Sequence, residues 1–597
     1  MRVTTSIDDY ALLADLHSAA LVSREGSIDW MCLPRFDSAA VFTNLLGTPD
    51  HGRWMIRPAD GTVVDRRYEA GTFVLRTRWR TPTGEAEVTE FMPTGDGRAD
   101  LVRDVRCVSG TVVIQSELIL RPDYGAIVPW VRRVGDALTA IAGPDLYVLR
   151  GPSLVAGDKR HVGRHALSTG ETATWVLTWT RSYDDLPTPL DVAGALELTR
   201  RIWRSWDDAV DVDGRWTDAV RRSLLVLRAL THADTGGIVA APTTSLPEDP
   251  GGERNWDYRY CWLRDSALTL ESLLTHGGAR AAENWRNWLL RAIAGDPDDL
   301  QIMYGVGGER TLTESTLDHL PGYLDSVPVR IGNGAVKQYQ ADVVGEVMIA
   351  LATLREAGVH EDQFSWPLQR AMLTYAAARI DEKDQGLWEM RGDPHYFTHS
   401  RVMMWAAFDR GVRAIDVQGL DGPREEWARQ RDLMRAEVFE YGVDEATGAF
   451  RQTYDTNEVD ASLLQIAQSG FVDYSSPVML ATVARIERDL MRDGLLLRYR
   501  TASGKDGLSG AEHPFLACSF WLVEQYAMSG RKSEAIELMD RLVGYTNDLG
   551  LLAEEYDPLT GAQIGNFPQA FSHLALVRAA DALTGRYRAP LTSTRPR

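Results

Sequence analysis

Cysteine is scarce in this sequence: four residues, Cys32, Cys107, Cys261 and Cys518, stand singly along 597 positions. With no C-x-x-C pair and no framework spacing they exclude a disulfide scaffold and a cysteine zinc site, and read as buried, reduced thiols. Positive charge is also short. Lys plus Arg total 64 against 84 Asp plus Glu, so the formal charge, 64 minus 84, is −20. A surface that acidic repels phosphate backbones and anionic headgroups, which sets aside nucleic acid and membrane surfaces as partners and leaves neutral or cationic small molecules. No run of 18 apolar residues occurs, so a membrane span is not expected. Met1 to Val22 carries Asp8, Asp9 and Asp15 and lacks a basic stretch followed by an apolar one; no signal peptide is read there, and a cytoplasmic protein is expected. No G-x-x-x-x-G-K-[ST] loop occurs, and Gly305-Val306-Gly307-Gly308 follows no strand-turn-helix unit, so nucleotide binding lacks support. His161 and His165 are four apart in a β-rich stretch without a nearby carboxylate, and neither a metal nor an organic cofactor is expected.

What is present fits a soluble globular chain of two or three domains, with 44% hydrophobic and 25% charged residues. From about Ser27 to Thr180 short β-rich pieces alternate with turns at roughly ten-residue spacing, which argues for an antiparallel sandwich. A helical stretch near 193–209 follows. From Trp216 onward the apolar period becomes helical, and twelve helices can be counted, among them 338–357 and 400–414. Twelve helices make six hairpins. The expected fold is multidomain α+β, an N-terminal antiparallel β-sandwich followed by an (α/α)6 barrel. Its expected parts are 1–190 for the sandwich, 191–215 for a helical linker and 216–590 for the barrel.

Three loops just ahead of helices carry candidate chemistry. In Glu253 to Asp265, aromatics at 256, 258, 260 and 262 alternate beside the pair Arg264-Asp265. Rings on one side of an extended segment, next to an Arg-Asp pair, offer a sugar a stacking face and partners for its hydroxyls. Helix capping by Asp265 and core packing of the aromatics are the competing explanation. In Leu387-Trp388-Glu389-Met390-Arg391, the carboxylate between Trp388 and Met390 is placed for desolvation, which raises its pKa and makes a general acid; pairing with Arg391 at the surface is the plainer alternative. The third loop holds Glu554-Glu555-Tyr556, where adjacent carboxylates point different ways and only one can face a pocket. Two carboxylates, one acidic and one basic, are the equipment of glycoside hydrolysis. Tyr304 and Tyr323, on a long connection, are candidate stacking surfaces.

Glu253 to Asp265, the loop Trp388-Glu389-Met390-Arg391-Gly392 with Phe397-Thr398-His399-Ser400, and Glu554-Glu555-Tyr556 with Gly565-Asn566-Phe567-Pro568-Gln569-Ala570-Phe571 together resemble glycoside hydrolase family 15. Ile7 to Leu12, Gly26 to Trp30 and Leu33 to Ser38 are similar to the N-terminal domain of its bacterial trehalase-like and glucoamylase-like members. The resemblance implies that Glu389 is the general acid and Glu554 the general base. It implies that Arg264 and Asp265 grip the terminal glucose, with Trp262 and Trp388 as walls and Tyr258 near the ring oxygen. It also implies an arginine ahead of a late barrel helix, which Arg498 or Arg500 could supply, Arg500 being preferred. Glu512-His513-Pro514 departs from the Glu-Gly-Thr-like pattern of bacterial members, which touches the sugar contacts of that loop. The implied reaction is exo-acting, inverting hydrolysis of α-glucosides that releases β-glucose. Trehalose is the first expected substrate, with maltooligosaccharides or isomaltosides next. An inverting phosphorylase and a non-catalytic sugar-binding protein are the other classes weighed; Glu554 would repel a phosphate nucleophile, and retention of both carboxylates opposes the second. The expected partner is a small-molecule carbohydrate, and assembly into a homo-oligomer is left open.

Overall fold

The computed structural model describes residues 4–296, 299–501, 504 and 506–587. Positions 588–590, the end of the expected barrel span, lie outside them. The N-terminal part is a network of fifteen antiparallel strands in two layers joined by one long strand, Ala99–Ile119. The first half of that strand pairs with Gly84–Phe91 and Thr172–Arg181, the second with Arg53–Pro58 and Arg160–Ser168. It changes layer near Gly110, whose φ is 68° and where a Cβ would stand 2.1 Å from the Thr83 carbonyl, so only glycine fits. Trp30, Trp54, Trp79 and Trp175 fill the core. Arg103 is buried among them because every end is satisfied: it donates to Glu90 (2.7 Å) and to the carbonyls of Trp54 and Gly26 (2.6 Å each). The sheet begins earlier than the sequence pattern indicated. Tyr10–Ala14 and Ala19–Ser23 are already strands, and burial on both faces removes the alternation that would have revealed them.

Thirteen α-helices follow among the described residues: α1 Val192–Asp208, α2 Thr217–Ala229, α3 Leu263–Thr275, α4 Ala279–Ala292, α5 Asp342–Glu356, α6 Ser365–Ala378, α7 Thr398–Gln418, α8 Arg424–Tyr441, α9 Gln465–Gln468, α10 Pro477–Leu490, α11 Leu516–Met528, α12 Lys532–Val543 and α13 Ala570–Thr584. Helix α1 bridges the two parts. Asp191 caps it, accepting from the Gly194 amide (3.2 Å), and Trp203 sets its ring edge-on to Phe73 of the sheet domain, 5.1 Å between centroids. The remaining twelve form two concentric layers. Helices α3, α5, α7, α9, α11 and α13 make an inner ring in which α13 closes on α3, with the turn Ala461–Leu464 linking α9 to α11. The alternate helices pack outside them. Position dictates composition: α10, outside, buries Met479, Thr482, Val483, Ile486 and Leu490, one stripe at helical spacing, whereas α5 and α7, inside, are buried almost all round.

Several helix boundaries differ from expectation by a few residues. Helix α7 runs on to Gln418 and stops at Gly419, which takes the left-handed conformation (φ 70°) and donates to the Ile415 carbonyl. Helix α5 starts at Asp342 rather than 338, because Gln338 and Gln340 lie ahead of it with side chains engaged in the network described below.

The sheet domain packs on the loops of the barrel. Trp30 Nε1 donates to the Pro242 carbonyl (2.7 Å), the Val306 amide to Asp37 (3.1 Å), and the Ala233 amide to the Leu16 carbonyl (2.8 Å). Arg259, wholly buried, chelates Asp257 (2.8 and 2.6 Å) and donates to the Ser38 carbonyl (2.8 Å). All four cysteines are buried and none is in a disulfide. No helix among the described residues is long and apolar enough to cross a membrane.

Candidate active site

The segments ahead of inner helices α3, α7, α11 and α13 converge on one pocket. Tyr258, Trp262, Arg264, Asp265, Trp388, Glu389 and Glu554 all line it. The short pair Cys261–Trp262 with Met303–Tyr304 fixes the approach to α3, so Trp262 is its N-cap and Arg264 and Asp265 fall on its first turn. Asp265 is therefore not the cap residue, and its buried Oδ1 faces Arg264 Nε at 3.4 Å.

Glu389 reaches the pocket through an unusual main chain. Gly386 (φ 65°) starts a turn in which the Glu389 amide donates to the Gly386 carbonyl (3.2 Å) and Glu389 itself sits at φ 57°. A left-handed L-residue costs roughly 1–2 kcal/mol, so the surroundings must impose it. Its Oε1 accepts from Trp262 Nε1 at 2.5 Å and lies 3.8 Å from Arg264 Nη2. Burial pushes the Glu389 carboxyl above its ordinary pKa, against the opposing pull of Arg264 and the Trp262 hydrogen bond.

Glu554 is held by the other ring of the same loop: the Tyr258 hydroxyl donates to its Oε1 at 2.6 Å. The two rings are neighbours, 5.6 Å apart and edge-to-face, so Tyr258 and Trp262 hold the two carboxylates as separate arms of one aromatic pair. Gly565 (φ 83°) makes room for Glu554, since a Cβ there would come within 2.8 Å of its Cβ and Oε2. Oε2 is buried and unpartnered. Glu555 turns away from the pocket, accepting from the His513 amide (3.1 Å). Burial, reinforced by the Glu248 carboxylate, pushes Glu554 up to about 8, while Arg498 and the Tyr258 hydroxyl pull it down.

Arg498 is the hub of this acidic cluster. It donates to Glu248 (2.6 Å) and Glu512 (3.1 Å) and stands 3.6 Å from Glu555 and 4.0 Å from Glu554. Arg254 binds the opposite side of Glu512 (2.7 Å) and Asp506 (2.5 Å), which draws the 506–512 segment against the pocket. Trp388 packs among Tyr499, Phe515 and Trp521 and donates to Asp460 (3.2 Å).

Three expected residues are not at the pocket. Arg500 is exposed, and Arg498 takes the lining position, where carboxylates from three loops surround its guanidinium and offset its burial. Tyr304 is wholly buried, its ring edge-on to Trp288 and its oxygen accepting from the Gln301 amide (3.0 Å), so it props the strand that carries Trp262. Tyr323 donates to the Thr5 carbonyl (3.1 Å) at the sheet domain. Lining residues that the sequence reading did not single out include Glu248, Tyr499 and Phe515, whereas Asn333 belongs to the long loop expected to line a pocket. Glu248 follows a proline in an unpatterned stretch and offers no local signal. Among the described residues no group of three or more His, Cys, Asp or Glu could hold a metal ion.

An environment that keeps one carboxyl beside tryptophan and arginine, and another beside tyrosine and further carboxylates, equips the pocket to give and take protons at one bond. Comparison with known proteins agrees with that chemistry. Residues 2–177 match the model for the trehalase-like N-terminal domain. The chain is 37% identical to a trehalase of Mycolicibacterium smegmatis, over 96% of this chain and 90% of the relative. It is 32% identical to a trehalase of Thermoplasma volcanium, over 97% and 93%. A bacterial glucoamylase crystallised with acarbose shares the fold, with a TM-score of 0.73 at 11% identity over 99% of this chain and 96% of that one. Residues 214–581 match the model for glycosyl hydrolases family 15, and the chain belongs to that family.

Proposed function

We propose that this glycoside hydrolase releases glucose from the non-reducing end of α-glucosides with inversion, and that its substrate is trehalose. The observation that carries the reading is the placement of Glu389 and Glu554 on one pocket, each gripped by its own ring of the Tyr258–Trp262 pair. Glu389, protonated, gives its proton to the glycosidic oxygen as the C–O bond breaks. A water held by Glu554 attacks the anomeric carbon from the other face and loses its proton to that carboxylate. The turnover leaves Glu389 ionised, Glu554 protonated and the glucose in the β form; exchange with solvent restores both. Arg264 and Asp265 bind the terminal hydroxyls, and Trp388 supplies an apolar wall.

Trehalose is favoured by the relatives named trehalase, which match this chain over nearly its whole length. Phosphorolysis is disfavoured by Glu554, which in its ionised, working form would meet a phosphate nucleophile with like charge, and by Glu248 and Glu512, which already engage the Arg498 guanidinium. The test is proton NMR of the first product from trehalose, maltotriose and isomaltose, with and without phosphate. β-Glucose chiefly from trehalose supports the reading. β-Glucose chiefly from the oligosaccharides keeps the mechanism and moves the specificity to the glucoamylase type, and glucose 1-phosphate formed only with phosphate ends the hydrolase assignment.

A further inference from the structure

An ion pair and three steps of hydrogen bonding close a ring that starts on the side chain of Glu389 and returns to its own main chain. The Glu389 carboxylate faces Arg264 Nη2 at 3.8 Å. Arg264 Nη1 donates to Gln340 Oε1 (3.1 Å), and Gln340 Nε2 donates to Gln338 Oε1 (3.1 Å). Gln338 Nε2 then donates to the carbonyls of Glu389 and Met390, 3.2 Å each. The polarity of this chain is fixed at both ends, because a guanidinium only donates and a carbonyl only accepts. Each glutamine must therefore present its oxygen toward Arg264 and its nitrogen toward Glu389, and a carboxylate in either place would break the sequence. Neither glutamine lines the pocket.

The ring acts on a main-chain segment that needs outside support. Glu389 is left-handed at φ 57°, and the Gln338 amide clasps the carbonyls on either side of the Met390 nitrogen. The same sequence explains why α5 does not begin at 338. A helical Gln338 would turn its amide along the helix instead of across to the neighbouring loop. Asp342, at the start of α5, faces Arg264 Nη1 at 3.5 Å and completes the anchorage.

We infer that Gln338 and Gln340 are positioning residues for the proton donor, holding the Glu389 main chain in its turn and tying that turn to the arginine expected to meet the substrate hydroxyls. The inference rests on the reading of Glu389 as general acid. It predicts a defect confined to leaving groups that need a proton. A disaccharide leaves as a sugar alkoxide and requires protonation, whereas fluoride departs from α-glucosyl fluoride as the anion, its C–F bond breaking as water adds and Glu554 takes the proton.

The experiment compares wild type, Gln338→Leu, Gln340→Leu and Glu389→Gln on trehalose and on α-glucosyl fluoride. Gln338→Leu is expected to lose about 10- to 100-fold in kcat on the disaccharide with KM within about threefold, and less than about threefold on the fluoride. Equal losses on both substrates, or no loss on either, overturn the inference. Should Gln338→Leu fail to fold, Gln340→Leu, which leaves the clasp on the carbonyls in place, is read by the same criterion with a smaller loss. Glu389→Gln separates the two levels. If it keeps disaccharide turnover, the acid assignment itself falls; if it shows the selective loss and the glutamine variants do not, only the positioning role falls.

Discussion

Glu389 and Glu554 are the same residue type under different neighbours, and their expected behaviour follows from those neighbours. Glu389→Gln and Glu554→Gln should each lower kcat by about 10²- to 10⁴-fold while substrate binding, read by calorimetry, persists, since both groups act in the transition state. The base works ionised, and burial with Glu248 beside it raises Glu554 to about 8. The acidic limb of kcat/KM should therefore lie above the ordinary carboxylate range, with activity lost as pH falls. Glu248→Gln removes a negative neighbour, so Glu554 holds its proton less tightly, and the limb should move toward acid by about one pH unit. A limb that stays put would detach Glu248 from the base. Sequence exposes these residues unevenly. Trp388-Glu389 and Glu554-Glu555 stand out because a carboxylate beside aromatics just ahead of a helix is an odd local choice. Arg498 and Arg500 cannot be told apart locally, being two residues apart on one segment, and the difference comes from Glu248, 250 residues away, to which Arg498 donates.

At the scale of elements, the inner ring depends on close helix approach. Gly345 of α5 lies against α7 such that a Cβ would stand 2.2 Å from the Met403 carbonyl, a main-chain atom that cannot swing away. Gly345→Ala gains about 1 kcal/mol of helix propensity but should still destabilise the protein by about 1–3 kcal/mol, because α5 must be wedged from α7. Urea titration checks this; an unchanged or higher midpoint would mean the helices already have slack. Helices were the legible part of the fold. Outer helices such as α10 advertise one apolar stripe, and glycine stops such as Gly419 mark their ends. Segments whose geometry is set by distant partners were not legible: the strand Tyr10–Ala14, continuous in burial, and the extended stretch before α5, whose glutamines read as an ordinary helical turn.

For the whole molecule, buried titratable groups set the pH response of folding. Burial pushes Glu346 and Glu554 up to about 8 and Asp384 to about 7, and pushes His232 and His399 down to about 4. The carboxyls keep protons that the unfolded chain has released, so their contribution is present at low pH and is lost as pH rises toward 8. The histidines act in the opposite sense, since the unfolded chain protonates below about 6.5, and they favour folding as pH rises to that point. Above about 6.5 the carboxyls dominate, with a slope of about 1.4 kcal/mol per pH unit for each proton retained. Scanning calorimetry at constant ionic strength should find Tm falling from pH 6.5 to 8.5; a steady rise would show that those carboxyls are ionised in the folded protein.

The contact between the sheet domain and the barrel loops reaches further than packing. Arg259 lies one residue from Tyr258 and three from Trp262, and its guanidinium is shared between Asp257 of the barrel and the Ser38 carbonyl of the sheet domain. Recombination between relatives is constrained accordingly. A chimera that exchanges the front domain at the α1 linker inherits a foreign surface beneath the loop that aims both carboxylates, so viable crossovers should be those that carry Leu16 to Ser38 together with their matching partners from Ala233 to Val306.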